Sequence, residues 1–311
     1  MRKFTFRAQT SGERLDQVLD AQSQSAGWNL SKHILRQAII MGFVYVNGKK
    51  SVSPGLEIKQ GGTIDLYLND KFYDLSKSNR VQNENLRILY EDEAIICFDK
   101  PAALPTQPTV DAKRSNLYDL ARNQLARQLS VDEVYLGMHH RLDRDTSGVI
   151  LFTKHQDYNK FIAAQFADHL CSKLYVAVVH GKLARDKGRL ESYLGSLGKT
   201  GPKKMQKFGS MKSGGKKAIT EFVVLDSNKK YSLVEVAIKT GRTHQIRVHF
   251  SEMGHPVVGD TLYGSPEKEY QNLRRHLLHA HALTIEHPVT HNQVRIESPV
   301  PDLFRSLMQG S

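Results

Sequence analysis

A cluster of polar residues directly precedes an apolar run near the middle of the chain. Residues 139–148 read His-His-Arg-Leu-Asp-Arg-Asp-Thr-Ser-Gly, and Val-Ile-Leu-Phe-Thr follows. A fold can hold a charged side chain rigidly at the start of such a buried strand, while the Thr-Ser-Gly segment makes a tight turn. Asp143 is therefore a candidate catalytic carboxylate.

Two other interpretations of this cluster stay open on these residues alone. The cluster could be a salt-bridged surface turn, or Asp143 and Asp145 could form the carboxylate pair of a glycosidase. The i, i+2 spacing of the two acids across a turn does not by itself place them on opposite sides of a sugar bond.

The elements that would position this cluster lie in the larger, C-terminal part of the chain. Strand-like runs cover residues 94–98, 149–153, 174–179, 221–225 and 233–238. Helical periodicity interrupts these runs, first over about residues 158–169. The mixture predicts one α+β domain over residues 86–311.

A second helix in this domain begins near Thr243 and ends at Gly254, ahead of Pro256. Its apolar stripe is formed by Ile246, His249, Phe250 and Met253. Arg247 is therefore predicted to point away from the buried stripe.

The N-terminal part of the chain has its own order of elements. Residues 1–7 alternate polar and apolar side chains like a strand, and residues 15–19 have the spacing of an amphipathic helix. Residues 43–50 predict a strand that closes into a turn at an Asn-Gly pair, and residues 63–68 predict another strand.

A basic helix is predicted between these elements. Ser31 is its cap, and Lys32 and Arg36 lie on its outer face. Further along, residues 69–85 are polar and non-periodic, which predicts a mobile linker between two domains.

The charge of the chain limits its partners. The 311 residues include 44 Lys and Arg against 32 Asp and Glu, a net charge of +12. Such a field favours a polyanion, and no apolar run approaches the roughly 18 residues of a transmembrane helix. Nucleic acid is the expected partner, and a membrane is not.

The expected location is the cytoplasm. The N-terminus lacks the apolar core of a signal peptide. Cys97 and Cys171 have no paired spacing, so both are predicted to be reduced thiols of the core.

The N-terminal order of elements resembles the small RNA-binding module named after ribosomal protein S-four. The similarity rests on an Arg-Leu-Asp start and a Gly-x-Val-x-Val-Asn-Gly turn, and it covers residues 11–68. It implies a small αβ module in front of the larger domain.

The larger domain resembles the RluA-type pseudouridine synthases. Their catalytic motif, His-Arg-Leu-Asp-x-x-Thr-Ser-Gly before an apolar strand, is matched at residues 140–148. Lys-Leu-Tyr-Val-Ala at 173–177 and Gly-Arg-Thr-His-Gln-Ile-Arg-Val-His at 241–249 follow in the expected order. The similarity spans about residues 86–304. It implies a mixed, mainly antiparallel-sheet catalytic domain and the conversion of uridine in RNA to pseudouridine.

The resemblance assigns roles to four residues. Asp143 is the nucleophile or base, Tyr175 lies against the uracil ring, and Arg141 enters the space vacated by a flipped base. Burial alone would raise the pKa of Asp143, and the resemblance assigns to Arg247 the task of keeping it ionised. The reaction has no net redox change, so no cofactor is expected.

Other side chains are expected to contact RNA or substrate. They are His140, Arg141, Arg144, Thr146, Arg242, His244, Gln245, Lys204, Lys216, Lys32 and Arg36. Residues 199–217 hold seven lysines among glycines and serines. This composition predicts a flexible loop that lies on the RNA backbone or, alternatively, is merely solvated.

A metal site is not expected, although histidines are frequent near the C-terminus. His279 and His281 are two residues apart, with His276, His287 and His291 nearby. No cysteine or acidic ligands gather with them.

One residue departs from the family pattern. Where relatives commonly have Lys-Pro-x-Gly-Leu, this chain has Lys-Pro-Ala-Ala-Leu, with Ala103 in place of the glycine. A methyl group excludes most conformations with positive φ. The departure leaves the local turn geometry open and does not affect the chemistry.

Two functions of different classes are therefore under consideration. The first is a pseudouridine synthase, and the second is a non-catalytic RNA-binding or ribosome-assembly factor on the same fold. The first is favoured because a pure binder has no need of an inward carboxylate in an RNA-facing cleft. The two-domain layout favours ribosomal RNA over transfer RNA, and a monomer is the expected state.

Overall fold

The protein's structure is a computed structural model that describes residues 2–25, 35, 38–39, 43–51, 53–68, 85–108, 115–200, 205–264, 273 and 275–309. The chain divides into two compact units, Met1–Asn85 and Leu86–Ser311. Within the described ranges, no helix is both long and apolar enough to cross a membrane.

The N-terminal unit combines short strands with a helix. Its elements are β1 (Arg2–Arg7), β2 (Glu13–Arg14), α1 (Leu15–Ser25), β3 (Val44–Val46), β4 (Lys49–Ser51), β5 (Glu57–Ile58) and β6 (Thr63–Leu68). Four of the strands form an antiparallel sheet in the order β1-β6-β3-β4, and β2 pairs with β5. The sheet includes β1, which lies ahead of the expected start of the module at residue 11.

The core of this unit follows the predicted apolar positions. Leu15 and Leu19 of α1 are fully buried and pack in one cluster with Ile64 of β6. The predicted hairpin turn is confirmed, since Asn47 and Gly48 both have positive φ between β3 and β4, as a tight Asn-Gly turn requires.

Part of the predicted basic helix is described. Leu35, Ala38 and Ile39 are helical and fully buried in the same core. The predicted RNA-binding residues Lys32 and Arg36 lie outside the described residues, and so does nearly all of the predicted linker, residues 69–84.

The C-terminal unit contains longer elements. They are β7 (Ile88–Glu91), β8 (Ile95–Lys100), α2 (Leu117–Leu129), β9 (Gly137–Met138), β10 (Ser147–Thr153), α3 (Asn159–Ala167), β11 (Ser172–His180), β12 (Lys187–Thr200), β13 (Met205–Ser210), β14 (Lys216–Ser227), β15 (Tyr231–Ile238), α4 (Gln245–Glu252), β16 (Leu278–Glu286), β17 (Gln293–Glu297) and α5 (Asp302–Gln309).

The described strands of this unit form one sheet of eleven. Its path is β13-β12-β14-β15-β11-β16-β10-β8-β7, with β17 paired to β16 and β9 paired to β10. Among these pairs only β10 and β16 run parallel, where Ser147 lies opposite His279 and Gly148 opposite Ala280. The predicted mixed, mainly antiparallel sheet is confirmed.

The parallel contact depends on a glycine. Gly148 has φ of 114°, and a Cβ atom at this position would overlap the backbone of Ala280. The Thr-Ser-Gly sequence therefore lets the strand that follows Asp143 approach the centre of the sheet.

Helices cover both faces of the central strand β11. Ala177 packs with Phe250 of α4 on one side. Val178 packs with Phe304 of α5 on the other. Because β11 is buried from both sides, the side chains that it carries toward α4 have a fixed position.

The lysine-rich segment at residues 199–217 is not a flexible loop in its described part. β12 continues to Thr200, and Met205–Ser210 form β13, which pairs with it. Phe208 of β13 packs against a buried cluster that contains Val248 and Tyr263. The loop prediction was wrong for these residues because they lack the alternation of a strand. The strand is stabilised by hairpin pairing with β12 and by the packing of Phe208 against Val248 and Tyr263, which are distant in sequence.

The helix α4 also differs from its prediction. It begins at Gln245, and its first residues are buried on every side, including Arg247 at 6% exposure. Arg247 lies off the stripe formed by Ile246, His249, Phe250 and Met253, as predicted, but its side of the helix is buried as well. The sheet covers one side of the helix, and the loop that contains Asp143 covers the side of Arg247.

Candidate active site

The loop between β9 and β10 carries Asp143 and is anchored at several points. Thr106 Oγ1 accepts a hydrogen bond from the Leu142 amide (3.2 Å) and donates one to the Leu142 carbonyl (2.7 Å). The Thr146 amide donates to the Asp143 carbonyl at 3.1 Å. These bonds fix the backbone on both sides of Asp143, as a catalytic side chain requires.

A buried lysine anchors the same loop from below. Lys100, at the end of β8, donates from Nζ to the carbonyls of Pro101, Leu104 and Arg144 at 2.7–3.0 Å. Burial lowers the pKa of Lys100 to about 7. Ala103 lies within this turn and has φ of 65°, so the left-handed turn forms despite the methyl group.

Asp143 and Arg247 are paired, as the resemblance implied. Arg247 Nη1 donates to Asp143 Oδ2 at 2.8 Å, and the Asp143 side chain is 28% exposed. Burial raises the pKa of Asp143. The positive charges of His244, when protonated, and of Arg247 lower it by more, so the net shift is downward. Asp143 is therefore an ionised carboxylate at neutral pH.

A second carboxylate holds Arg247 from behind. Asp260 is fully buried, and its two oxygens accept hydrogen bonds from Arg247 Nε at 2.6 Å and Nη2 at 3.0 Å. Asp260 also accepts from the amides of Leu262 and Tyr263. This bidentate pair orients the guanidinium so that Nη1 alone is directed at Asp143.

No role was assigned to Asp260 from the sequence. It lies in the run Gly-Asp-Thr-Leu-Tyr-Gly at residues 259–264. The signal that could have identified the residue is chemical: an arginine buried beside one partly exposed carboxylate needs a second acid to offset its desolvation.

His244 is held between Asp143 and a tyrosine. It adopts a left-handed conformation with φ of 56° immediately before α4. Its Nδ1 lies 2.8 Å from the Tyr263 hydroxyl, which accepts from the Phe208 amide at 3.0 Å. Because that hydroxyl proton is free to point at Nδ1, Nε2 can carry the ring proton, and it lies 3.7 Å from Asp143 Oδ2.

Tyr175 of β11 lines the same pocket as Asp143. The pocket has a volume of about 470 Å³, including its open mouth. Burial, with the nearby charge of Asp143, raises the pKa of Tyr175. Its hydroxyl is therefore protonated at neutral pH. The pocket is completed by Arg141, Leu142, Thr146, Ile238, Gly241, Arg242, His244, Gln245, Ile246, Arg247 and Leu278.

The predicted RNA contacts divide into two groups. Arg141, Arg242, His244, Thr146 and Gln245 line the pocket. Arg141 is exposed, whereas Gln245 is buried and forms hydrogen bonds with its neighbours through both ends of its amide.

The remaining predicted contacts lie outside the pocket. His140 stacks on Phe166 with ring centroids 4.5 Å apart, and its Nε2 accepts from the Leu151 amide. Burial lowers the pKa of His140 to about 3. Lys216 is exposed on β14, and Lys204 lies outside the described residues.

The glycosidase alternative has no support in the geometry. Asp145 accepts from Arg144 Nε at 2.8 Å and from Nη2 at 2.6 Å, and it does not line the pocket. Arg144 is thus engaged by its neighbour rather than directed at Asp143.

The C-terminal histidines have partners in the protein. His276 Nε2 lies 2.7 Å from Thr146 Oγ1, and His279 Nδ1 lies 2.9 Å from Ser147 Oγ. His287 Nε2 lies 2.8 Å from Asp92. Among the described residues, no group of three or more His, Cys, Asp or Glu side chains could hold a metal ion.

Comparison with known proteins identifies the class of enzyme to which this site belongs. A family model described as RNA pseudouridylate synthase matches residues 94–252. An uncharacterised RNA pseudouridine synthase of Bacillus subtilis is 34% identical over 83% of this chain and 82% of its own length. A ribosomal large subunit pseudouridine synthase D of Zymomonas mobilis is 32% identical over 96% of this chain and 94% of its own. The chain belongs to the RNA pseudouridylate synthase family and is an enzyme of the isomerase class.

Solved structures agree with this assignment. Human RNA pseudouridylate synthase domain containing 1 aligns with a TM-score of 0.57 at 26% identity, over 70% of this chain and 84% of its own. Human RNA pseudouridylate synthase domain containing 4 aligns with a TM-score of 0.59 at 20% identity, over 76% and 95%. The second similarity supports the fold alone.

Proposed function

We propose that the enzyme isomerises specific uridines of ribosomal RNA and that Asp143 is its catalytic carboxylate, acting as nucleophile or base. The reaction breaks the bond between ribose C1′ and uracil N1, turns the base, and joins C1′ to C5. One proton leaves C5 and one is gained at N1, so atoms and electrons balance without an electron carrier. The observation that carries this proposal is the Asp143–Arg247 pair at 2.8 Å at the pocket.

The pocket suits the demands of this reaction. Asp143 is held ionised by the Arg247–Asp260 arrangement, so its reactive form is present before substrate binds. Tyr175 presents a protonated phenol and an aromatic face to a base in the pocket. Preorganisation of this kind lowers the barrier because the groups do not reorient during the reaction.

Access to the pocket requires that the uridine leave its stack. Enzymes that act on a base extrude it into a pocket and lose some stacking energy in doing so. Arg141 is exposed at the pocket and forms no ion pair with a described residue. Its planar guanidinium can stack on the bases adjacent to the gap, which supports its role in stabilising the extruded state.

Ribosomal RNA is the favoured substrate. The relative from Zymomonas mobilis is named for the ribosomal large subunit, and the N-terminal unit is proposed to be an S-four-type RNA-binding module, joined to the catalytic unit by a linker. Transfer RNA is the alternative. We also propose that the enzyme acts as a monomer in the cytoplasm, where the buried thiols Cys97 and Cys171 stay reduced.

The test compares two neighbouring acids. Asp143→Asn keeps the shape of the side chain and removes its charge, so conversion of uridine should fall by roughly 10³-fold or more, while RNA binding is retained. Asp145→Asn is the matched control, since Asp145 pairs with Arg144 outside the pocket. Turnover is measured as pseudouridine in hydrolysed RNA, and binding by fluorescence anisotropy.

The competing function makes the opposite prediction. If the protein is a non-catalytic RNA-binding or ribosome-assembly factor, Asp143→Asn changes nothing and the wild-type protein forms no pseudouridine in any RNA. The target is identified by mapping pseudouridines with a base-selective chemical label in cells with and without the protein. A site lost only from transfer RNA would reject the ribosomal assignment and leave the chemistry intact.

A further inference from the structure

A second pocket adjoins the one that contains Asp143. It also has a volume of about 470 Å³, including its open mouth. Its lining is His169, Leu170, Cys171, Ser172, Lys173, Ala237, Ile238 and Lys239. The two pockets share Ile238 as a lining residue, so they lie next to each other.

Lys173 lies at the boundary between the two pockets. It precedes Tyr175 by two residues on β11, and Tyr175 lines the first pocket. A methyl group added at Gly241, another lining residue of the first pocket, would lie 3.6 Å from Lys173 Nζ. The ammonium is also 5.8 Å from the centre of the Phe166 ring, which fixes it at the rim.

The positive charge at this boundary has no paired carboxylate among the residues that the structure describes. Within the described part of the chain, neither Lys173 nor Arg242 has a carboxylate within 4.0 Å. Lys239 lines the same pocket but pairs with Glu221 at 3.3 Å. Burial, together with the charge of Arg242, lowers the pKa of Lys173. Arg242 directly follows Gly241, beside which Lys173 Nζ lies, and its Nε donates to the Lys217 carbonyl at 2.9 Å, which leaves its terminal nitrogens for a ligand. Neighbouring cations without a paired acid favour an anion.

We propose that Lys173 and Arg242 bind a backbone phosphodiester group of the RNA, next to the uridine that occupies the active-site pocket. The inference rests on the proposed function, because every nucleotide seated in the first pocket carries a phosphodiester on each side of its ribose. An ammonium and a guanidinium are the side chains that contact RNA phosphates. Burial lowers the pKa of His169, so its imidazole is neutral there and can donate a further hydrogen bond.

The first experiment removes charge from the protein. Lys173→Met keeps most of the aliphatic stem, and we expect KM for RNA to rise about 10-fold with kcat unchanged, since the contact is the same in ground and transition states. The salt dependence of log KM should become shallower by about 0.7–0.9. Lys173→Arg should restore most of the affinity. Lys229→Met, which changes an exposed lysine in the turn that precedes β15, is the control.

The second experiment removes charge from the RNA. A methylphosphonate replaces one linkage at a time around the target uridine. For the wild-type enzyme, one linkage should raise KM about 10-fold, and the Lys173→Met variant should be insensitive at that same linkage. Such non-additivity assigns the phosphate to the lysine.

Three results would overturn the inference. They are an unchanged salt slope in a folded Lys173→Met variant, a loss of kcat without a change in KM, and equal sensitivity of both proteins at every linkage. If the wild-type protein converts no RNA, the proposed function fails instead. RNA binding and its salt slope still test the pocket in that case, so the two failures are distinguishable.

Discussion

Two regions of the C-terminal unit present charge in opposite ways. Asp143, Arg247 and Asp260 are buried or half-buried, and each is engaged by at least one directed hydrogen bond, with the Asp260 side chain at 0% exposure. Along β12 and β14, charges are exposed and form a ladder in which Arg189 contacts both Glu191 and Glu221. The first arrangement fixes the positions of its side chains, and the second leaves its charges in contact with water.

The difference follows from the environment of each pair. An exposed ion pair contributes about 0–1 kcal/mol because water screens it. A buried pair is costly to form but still more costly to break, since removal of one partner leaves an uncompensated charge. The same substitution of an acid by its amide should therefore have very different effects in the two regions.

The largest contrast is expected between Asp260→Asn and Glu221→Gln. Asp260→Asn leaves Arg247 without its bidentate partner, and we expect unfolding free energy to fall by about 3 kcal/mol and kcat by roughly 10²-fold. Glu221→Gln breaks two exposed pairs and should cost under about 1 kcal/mol. Urea unfolding and single-turnover kinetics measure both. Equal losses in the two variants would show that the buried Arg247–Asp260 pair contributes no more than an exposed ion pair.

The next largest effect is expected in the pH dependence of stability and of kcat/KM. The pKa of Asp143 and that of Asp260 are both lowered from 3.8 in the folded protein. These carboxylates therefore contribute stability at neutral pH that is lost only as pH falls through the lowered folded values. We expect kcat/KM to have no acid limb above pH 3.8. In Arg247→Met, burial is offset less, so the pKa of Asp143 and the acid limb should both move upward.

A pH–rate profile for each protein checks this prediction. Carbon NMR of the Asp143 carboxyl group provides a direct titration that does not depend on turnover. An acid limb of the wild-type enzyme near neutral pH would contradict the account of how Asp143 is kept ionised.

A smaller effect is expected on the exposed surface. Lys216→Met removes a cation on β14 that has no carboxylate within 4.0 Å among the described residues. It should make the salt dependence of RNA binding shallower by up to about 0.7, with kcat unchanged. Lys217 is already paired with Glu191, so Lys217→Met should change the slope less. Anisotropy titrations at several salt concentrations measure both. A large loss of kcat in either variant would assign this surface to the chemistry.

The smallest effect is expected in the turn that contains Ala103, which Lys100 joins to the loop that carries Asp143. Ala103 has φ of 65°, which costs about 1 kcal/mol for a residue with a Cβ atom. Ala103→Gly relieves this strain but adds freedom to the unfolded chain, so we expect a net gain in stability of about 0.5 kcal/mol, measured by urea unfolding. Ala102→Gly, one residue earlier in the same turn, lacks the positive φ and should lose stability instead.

The sequence predicted elements best where burial follows a local pattern. The runs at 149–153 and 174–179 became β10 and β11, and the period at 158–169 became α3. The pairing of Asp143 with Arg247 was predicted from the family resemblance alone, because the two residues lie 104 positions apart. No local spacing joins two residues over that distance.

What the sequence missed depends on contacts between distant segments. Arg247 is buried because Asp260 and Asp143 both receive its hydrogen bonds, and an amphipathic pattern treats any arginine as exposed. β13 contains lysine and glycine, yet it is a strand because it forms a hairpin with β12 and because Phe208 packs against Val248 and Tyr263, which are distant in sequence. The helix α2 (Leu117–Leu129) was not predicted, although the Asn116 side chain caps it by accepting a hydrogen bond from the Asp119 amide.

The parallel seam between β10 and β16 has a consequence for biosynthesis. Its partners, Gly148 and Ala280, are separated by most of the catalytic unit. Closing so long a segment is entropically unfavourable and slow. A chain emerging from the ribosome thus carries Asp143 on an incomplete sheet until residue 280 has been synthesised. The enzyme is expected to acquire activity in one late step, after almost all of its sequence has been translated.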